Sequence, residues 1–219
     1  MDNNISIAID GPAASGKSTI SKLISKKLDI EYIDTGAMYR AFTLKLINKN
    51  IALDDTDKIL QEINETNIDF KDKHIYLDGE IVDKQIRENI INQNVSYIAK
   101  IKEVRYRMVE LQREIAKNKS VVMDGRDIGT VVLPDANYKI FIVASIDERA
   151  KRRYNDLVSE GETKITLEQV KEELRIRDNI DSTREIAPLL KAKDAIEVDT
   201  TDKTIEESVN TILEIIQGR

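Results

Sequence analysis

Ile5-Ser6-Ile7-Ala8-Ile9-Asp10-Gly11-Pro12-Ala13-Ala14-Ser15-Gly16-Lys17-Ser18 is the stretch that decides how this chain folds. Its first half alternates Ile5, Ile7 and Ile9, the pattern of a buried strand, and Asp10-Gly11-Pro12 ends it. Its second half is G-x-x-x-x-G-K-[ST], a phosphate-binding loop. Gly11 and Gly16 let the backbone fold back so that several N–H groups point into one concavity. The helix that follows turns its N-terminal amides toward the same spot. Gly11, Pro12, Ala13, Ala14, Ser15, Gly16, Lys17, Ser18 and Thr19 are therefore expected to hold a nucleoside triphosphate. Lys17 would reach its β- and γ-phosphates, and the Ser18 hydroxyl would bind Mg²⁺. The plain alternative is an ordinary glycine turn, but the strand before and the helix after are the context the motif requires.

Outward from this loop, 219 residues suit one large α/β domain with room for a small insertion. Hydrophobic residues at 41% and charged residues at 34% describe a globular protein with a well-solvated surface. A net charge of −6 argues against nucleic-acid binding through a general basic surface, while leaving room for a basic pocket. The absence of cysteine excludes disulfides, thiolate metal sites and a thiol nucleophile. Met1-Asp2-Asn3-Asn4 lacks the flank and apolar core of a signal peptide. No apolar run approaches the ~20 residues needed to cross a bilayer. The expectation is a cytoplasmic protein with no membrane or nucleic-acid partner, and a monomer by default.

After the loop, Ile20, Leu23, Ile24 and Leu28 recur at helical spacing. Glu31-Tyr32-Ile33 reads as a strand closed by Asp34-Thr35-Gly36, and helices are expected over 37–48 and 54–65. This βαβα rhythm argues for a parallel sheet with crossover helices. Residues 68–82 interrupt it with short strands joined by an Asp78-Gly79 hairpin signal, hence a small appended antiparallel sheet. His74, the only histidine, lies there and is given no role. A long amphipathic helix over 101–118 leads into a strand that ends in Asp124-Gly125-Arg126-Asp127, and residues 138–144 form the next strand. Thr166 with Gln169 and Thr204 with Glu207 are capping boxes opening two further helices. Ile205, Val209, Ile212 and Ile216 are expected to pack inward from the last of these, and 195–198 is the last strand.

Three charged features lie where strands end, or in the segment following one, and ligands of open α/β sheets bind at strand ends. They are Asp34 to Arg40, Asp124 to Asp127, and an arginine-rich segment with Arg149, Arg152, Arg153, Arg175, Arg177 and Arg184. Arginine makes planar bidentate contacts to phosphate that lysine does not, so these arginines are expected to close over phosphates; the bland reading is a pair of charged surface helices. A triphosphate site beside a second anion site points to phosphoryl transfer. No general base is obvious. A phosphate monoester acceptor needs none, because its second pKa near ~6 leaves it ionised at neutral pH. Asp10 and Asp34 fit equally well as positioners of Mg²⁺ waters or as strand-end structure.

Over nearly its whole length the sequence resembles bacterial cytidylate kinases, within the nucleoside monophosphate kinases. The carriers are Ile9-Asp10-Gly11-Pro12 with the loop after it, Asp34-Thr35-Gly36-Ala37-Met38-Tyr39-Arg40, Asp124-Gly125-Arg126-Asp127-Ile128-Gly129, and Arg177-Asp178 through Asp181-Ser182 to Arg184. The resemblance implies an α/β P-loop kinase over 1–219, with a central parallel sheet flanked by helices. It also implies a small antiparallel monophosphate-binding insertion over 64–96 and a helical, arginine-rich lid over 149–184. The implied activity is ATP-dependent, Mg²⁺-assisted phosphorylation of CMP and dCMP to CDP and dCDP in pyrimidine nucleotide metabolism. Lys17, Arg126, Arg177 and Arg184 would be catalytic. Thr35 would help seat the acceptor nucleotide, and Arg40 and Arg126 would hold its phosphate. Ser96, Arg105 and Asp127 would surround cytosine. Arg177 and Asp181 would lie against ribose or phosphate, and Arg184 would enter with the lid. An adenylate or shikimate kinase is the nearest rival, and neither needs the 68–82 strands or the Asp124–Asp127 run. A GTP-binding switch would carry N-K-x-D, which is absent.

Overall fold

The computed structural model describes residues 4–71, 74–162 and 164–218. Residues 1–3 of the N-terminal signal reading, and 72–73 within the insertion, lie outside them. Strand β1 (Ser6–Asp10) sits at the centre of a five-stranded parallel sheet. The order is β2 (Glu31–Asp34), β6 (Val121–Gly125), β1, β7 (Tyr138–Val143), β8 (Ile196–Asp199). In β1, Ile7 and Ile9 face a cluster with Ile20, Ile24, Val209, Ile212 and Ile216, while Ala8 faces Ile33 and Met123 on the other side. The alternation thus buries both faces, as a doubly covered parallel sheet requires. Because β6 and β7 leave β1 in opposite directions, a crevice opens above its carboxyl end, where the phosphate-binding loop begins.

Helices α1 (Lys17–Leu28) and α8 (Ile205–Gln217) cover one face. Ile20 and Ile24 are fully buried on α1, but Leu23 is turned to solvent, since only one face of so short a helix meets the sheet. Ile205 also departs from its expected inward packing: it is half exposed and borders the main cleft at the first turn of α8. Helix α2 (Thr35–Asn48) starts two residues earlier than the sequence pattern suggests. The Asp34 side chain accepts from the Ala37 N–H at 2.9 Å and caps it.

The appended sheet is antiparallel, β3 (Ile68–Lys71), β4 (His74–Leu77) and β5 (Glu80–Ile81). Asp78 and Gly79 turn its hairpin with φ of 50° and 90°, the conformation a tight hairpin demands. Among the described residues of the 64–96 interval, strands occupy 68–71, 74–77 and 80–81. A 3₁₀ turn (Gln85–Arg87) and helix α4 (Asn89–Ala99) take up most of the rest. Helix α3 (Thr56–Asn64) packs beside α5 (Lys102–Ala116). Buried Lys45 of α2 reaches both Glu62 of α3 (3.1 Å) and Asp78 of the hairpin (2.7 Å), tying the insertion to the core. His74 has a partner, Asp83, and remains half exposed.

Helices α6 (Ile146–Ser159) and α7 (Leu167–Thr183) pack on each other through Leu157, Val170 and Leu174, which cluster with Ala13 of the loop. Both expected capping boxes form, Thr166 with Gln169 on α7 and Thr204 with Glu207 on α8.

Candidate active site

The loop after β1 is shaped by contact as much as by conformation. A Cβ on Gly11 would lie 2.1 Å from the Ile142 carbonyl oxygen, so no larger residue fits. Gly16 enters α1 at φ 89°, which glycine adopts without strain. Lys17 is buried and its Nζ donates to Pro12 O (2.6 Å) and Ser15 Oγ (3.3 Å), so the ammonium is folded back inside its own loop. Burial, reinforced by the Arg126 charge, pushes its pKa well below the ordinary lysine value.

Next to it stands a carboxylate that the sequence motif contained but to which no role was given. Ser18 Oγ donates to Asp124 Oδ2 (2.8 Å) and Tyr32 OH to Asp124 Oδ1 (2.9 Å). The Thr35 hydroxyl donates to the Asp124 carbonyl (2.7 Å). Gly125 is required here because a Cβ would fall 2.7 Å from Thr35 Oγ1 and closer still to Ile128. Asp10 and Asp34 both make structural bonds: Asp10 accepts from the Ile128 and Gly129 N–H groups (2.9 and 2.8 Å), and Asp34 Oδ1 caps α2 at the border of the cleft.

Burial, and then the neighbouring Asp34 charge, push the Asp124 carboxyl up to about 6. The folded chain therefore binds this proton more tightly than the unfolded chain, whose aspartates titrate near ~3.9. The stabilisation is complete below the unfolded value and is lost as pH rises through about 6. The ligand-free Asp124→Asn variant should accordingly gain stability relative to the parent, by a few kcal/mol, between pH 4 and 7. Parallel urea titrations across that range check it, and a constant difference would exclude the ionisation as its source. A divalent cation at the site would reverse the trend, since it favours the ionised carboxylate.

The far half of the cleft is built from guanidiniums. Arg40 Nε donates to Asn92 Oδ1 (3.1 Å), and Arg126 Nε to Asp181 Oδ2 (2.8 Å). Arg177 joins them with a buried Nε that has no partner. Burial together with the Arg126 and Arg40 charges pushes Arg177 down to about 9. Three like charges gathered around one carboxylate, Asp181, favour a further anion beside them. Deeper in, fully buried Arg105 pairs with Asp127, donates to the Ala99 carbonyl (3.1 Å) and lies over the Tyr39 ring. Arg184 stands 3.6 Å from both Asp127 and Asp181. Ser96, on α4, is buried at the same wall.

One cleft of about 540 Å³ joins the two halves. It is bordered by residues 13–19 of the loop and by Thr35, Arg40, Ser96, Arg105, Arg126, Asp127, Arg177, Asp181 and Arg184. Gly11 and Pro12 stand behind it. The other arginines divide. Arg152 and Arg153 both border the cleft. Arg175 faces outward beside Glu172, and Arg152 is held by Glu148 and the Thr200 carbonyl. Arg149 is a buried strut: its Nε donates to the Ala144 carbonyl (3.0 Å), and its Nη1 to the Ala13 carbonyl (3.1 Å) and Asp178 (2.6 Å).

The model of the family described as cytidylate kinase matches residues 7–218. The chain belongs to the cytidylate kinase family. Relatives named cytidylate kinase include one from Clostridioides difficile, 53% identical over 96% of this chain and 97% of its own. Another, from Fusobacterium nucleatum, is 53% identical over 98% of each. Among solved structures, an uncharacterized protein from Eubacterium ventriosum aligns with a TM-score of 0.54 at 15% identity, covering 99% of this chain and 100% of its own. A shikimate kinase from Bacteroides thetaiotaomicron aligns at 0.50 and 12%, covering 97% and 98%. At such low identity these structures share the fold alone, a P-loop kinase sheet with its covering helices. Among the described residues no helix is long and apolar enough to cross a membrane.

Proposed function

We propose that the cleft of this cytidylate kinase family member seats ATP on residues 11–19 and CMP or dCMP against Arg40, Arg126 and Arg177, and that it passes the γ-phosphoryl group between them. The observation that carries this reading is the convergence of those three guanidiniums beside Lys17 in one cavity. A second anion site a short reach from a triphosphate site is what phosphoryl transfer to a phosphate monoester needs. The acceptor oxygen, already ionised, attacks the γ-phosphorus in line, and Lys17 meets the charge that spreads over the transferred group. Arg126, Arg177 and Arg184 complete that electrostatic surround.

Mg²⁺ fits the donor set on the ATP side. Ser18 Oγ and the raised Asp124 carboxyl are oxygen donors in hydrogen-bond contact. Among the described residues no group of three or more His, Asp or Glu gathers to cage a metal. That suits an ion held by one hydroxyl, phosphate oxygens and waters that a carboxylate orients. When bound, the ion would neutralise the β- and γ-phosphates.

For the base, Asp127 would accept from the exocyclic amine of cytosine while Ser96 and Arg105 donate to its acceptors. The whole chain acts as one domain, in which 64–96 supplies Ser96 and 149–184 supplies Arg177, Asp181 and Arg184. One copy completes the cleft, so a monomer suffices.

Comparing ATP turnover with and without acceptor tests the reading. CMP and dCMP should each raise ADP formation by orders of magnitude, with UMP weaker and AMP and shikimate inert. Equal turnover with no acceptor present would overturn it.

A further inference from the structure

Arg40 and Arg126 are fastened in the same way and balanced differently. Each gives its Nε hydrogen to a side-chain oxygen, which turns the terminal nitrogens toward a ligand, although Arg126 also gives one Nη1 hydrogen to the Gly125 carbonyl (3.1 Å). For Arg126 the side-chain oxygen belongs to the Asp181 carboxylate, which matches its charge. For Arg40 it belongs to the neutral amide of Asn92, and among the described residues Arg40 forms no ion pair within 4.0 Å. The Asp34 charge, whose Oδ1 caps α2, offsets part of the burial cost of this guanidinium without pairing with it.

The surroundings of Asn92 explain why an amide stands there. Its Nδ2 donates to the carbonyls of Arg87 (2.9 Å) and Glu88 (3.3 Å), while its Oδ1 accepts from Arg40 (3.1 Å). A carboxylate could not donate to those carbonyls, and a cation could not accept from Arg40. Only a side chain with both functions joins the 3₁₀ turn at the base of α4 to the guanidinium. We propose that Asn92 is a positioning residue, which aims Arg40 at the acceptor's phosphate without pairing its charge directly with a carboxylate. The insertion thereby supplies the orientation of a phosphate ligand carried on α2, in addition to its own wall of the cleft. This rests on the proposed acceptor reading of the cleft.

The test compares binding of CMP and of cytidine, which lacks the phosphate, by titration calorimetry, with KM and kcat alongside. Asn92→Ala should weaken CMP and raise its KM about tenfold, the scale of one hydrogen bond to a charged group. Cytidine binding and kcat should stay within about twofold of the parent. Asn92→Asp should weaken CMP further, because it restores an acceptor for Arg40 and cancels its charge. In an Arg40→Ala background, Asn92→Ala should add nothing, since interacting residues are not additive. Equal losses for CMP and cytidine, an additive effect in that background, or parent-like CMP binding by Asn92→Asp would each overturn the proposal. A parent chain that binds cytidine and CMP alike, or neither, would overturn the acceptor reading itself, and the role of Asn92 with it.

Discussion

Lys17→Ala is expected to lower kcat by about a hundredfold to a thousandfold, with CMP affinity within a few-fold of the parent. The two effects separate because the ammonium lies on the loop side of the cleft, whereas the guanidiniums that face the acceptor belong to α2, α7 and the end of β6. In the ligand-free chain Lys17 satisfies itself on Pro12 and Ser15. On the proposed reading these bonds would be exchanged for phosphate oxygens, so that the lysine would act chiefly where negative charge is greatest, in the transition state. Single-turnover rates with saturating ATP and CMP, together with calorimetric CMP titrations, check both halves. Turnover within about tenfold of the parent would remove Lys17 from the chemistry.

The second large effect is expected at Asp127. Asp127→Asn should lower kcat/KM for CMP and narrow the CMP-to-UMP preference, because the amide can donate to the O4 of uracil where the carboxylate repels it. The structure adds a further cost. Asp127 is the buried counter-charge of Arg105 and stands 3.6 Å from Arg184, so its loss strands guanidiniums that have little access to water. Breaking a buried pair from one side costs about 3–5 kcal/mol, and the variant should unfold at correspondingly lower urea. Arg105→Met with Asp127→Asn removes both charges and should regain part of the lost stability without regaining CMP preference. A single variant with unchanged CMP-to-UMP preference would show that Asp127 serves the fold alone.

The legible parts of the chain were those where one residue type is required by one local geometry. Gly11 and Gly16 mark the loop, Asp78-Gly79 the hairpin, and Thr166 with Gln169 a helix start, and each stands where its chemistry demands. Helix α4 was not legible. Asn89-Ile90-Ile91-Asn92-Gln93-Asn94-Val95 is rich in asparagine and β-branched residues, which are weak helix formers, and no side chain caps its start. Packing of Ile91, Val95 and Ile98 onto α2 and α5 makes it a helix, and such tertiary support leaves no local signal. The same reason hid Asn92. Arg149 misled in the opposite way: its sequence groups it with the arginines expected to close over phosphates, yet it is buried against the Ala13 carbonyl and Asp178. Spacing along a helix fixes direction, and only the neighbouring elements decide what is met there.

The crowding of Arg40, Arg126 and Arg177 also bears on the chain's endurance. Three guanidiniums share the single close carboxylate of Asp181, so a bound dianion would relieve their mutual repulsion and add cohesion to the fold. Substrate is in this sense a structural component as well as a reactant. Mass action sets its worth: a ligand at a hundred times its Kd adds about 2.7 kcal/mol to the folded state. A chain saturated with nucleotide should therefore unfold at higher urea than one without it.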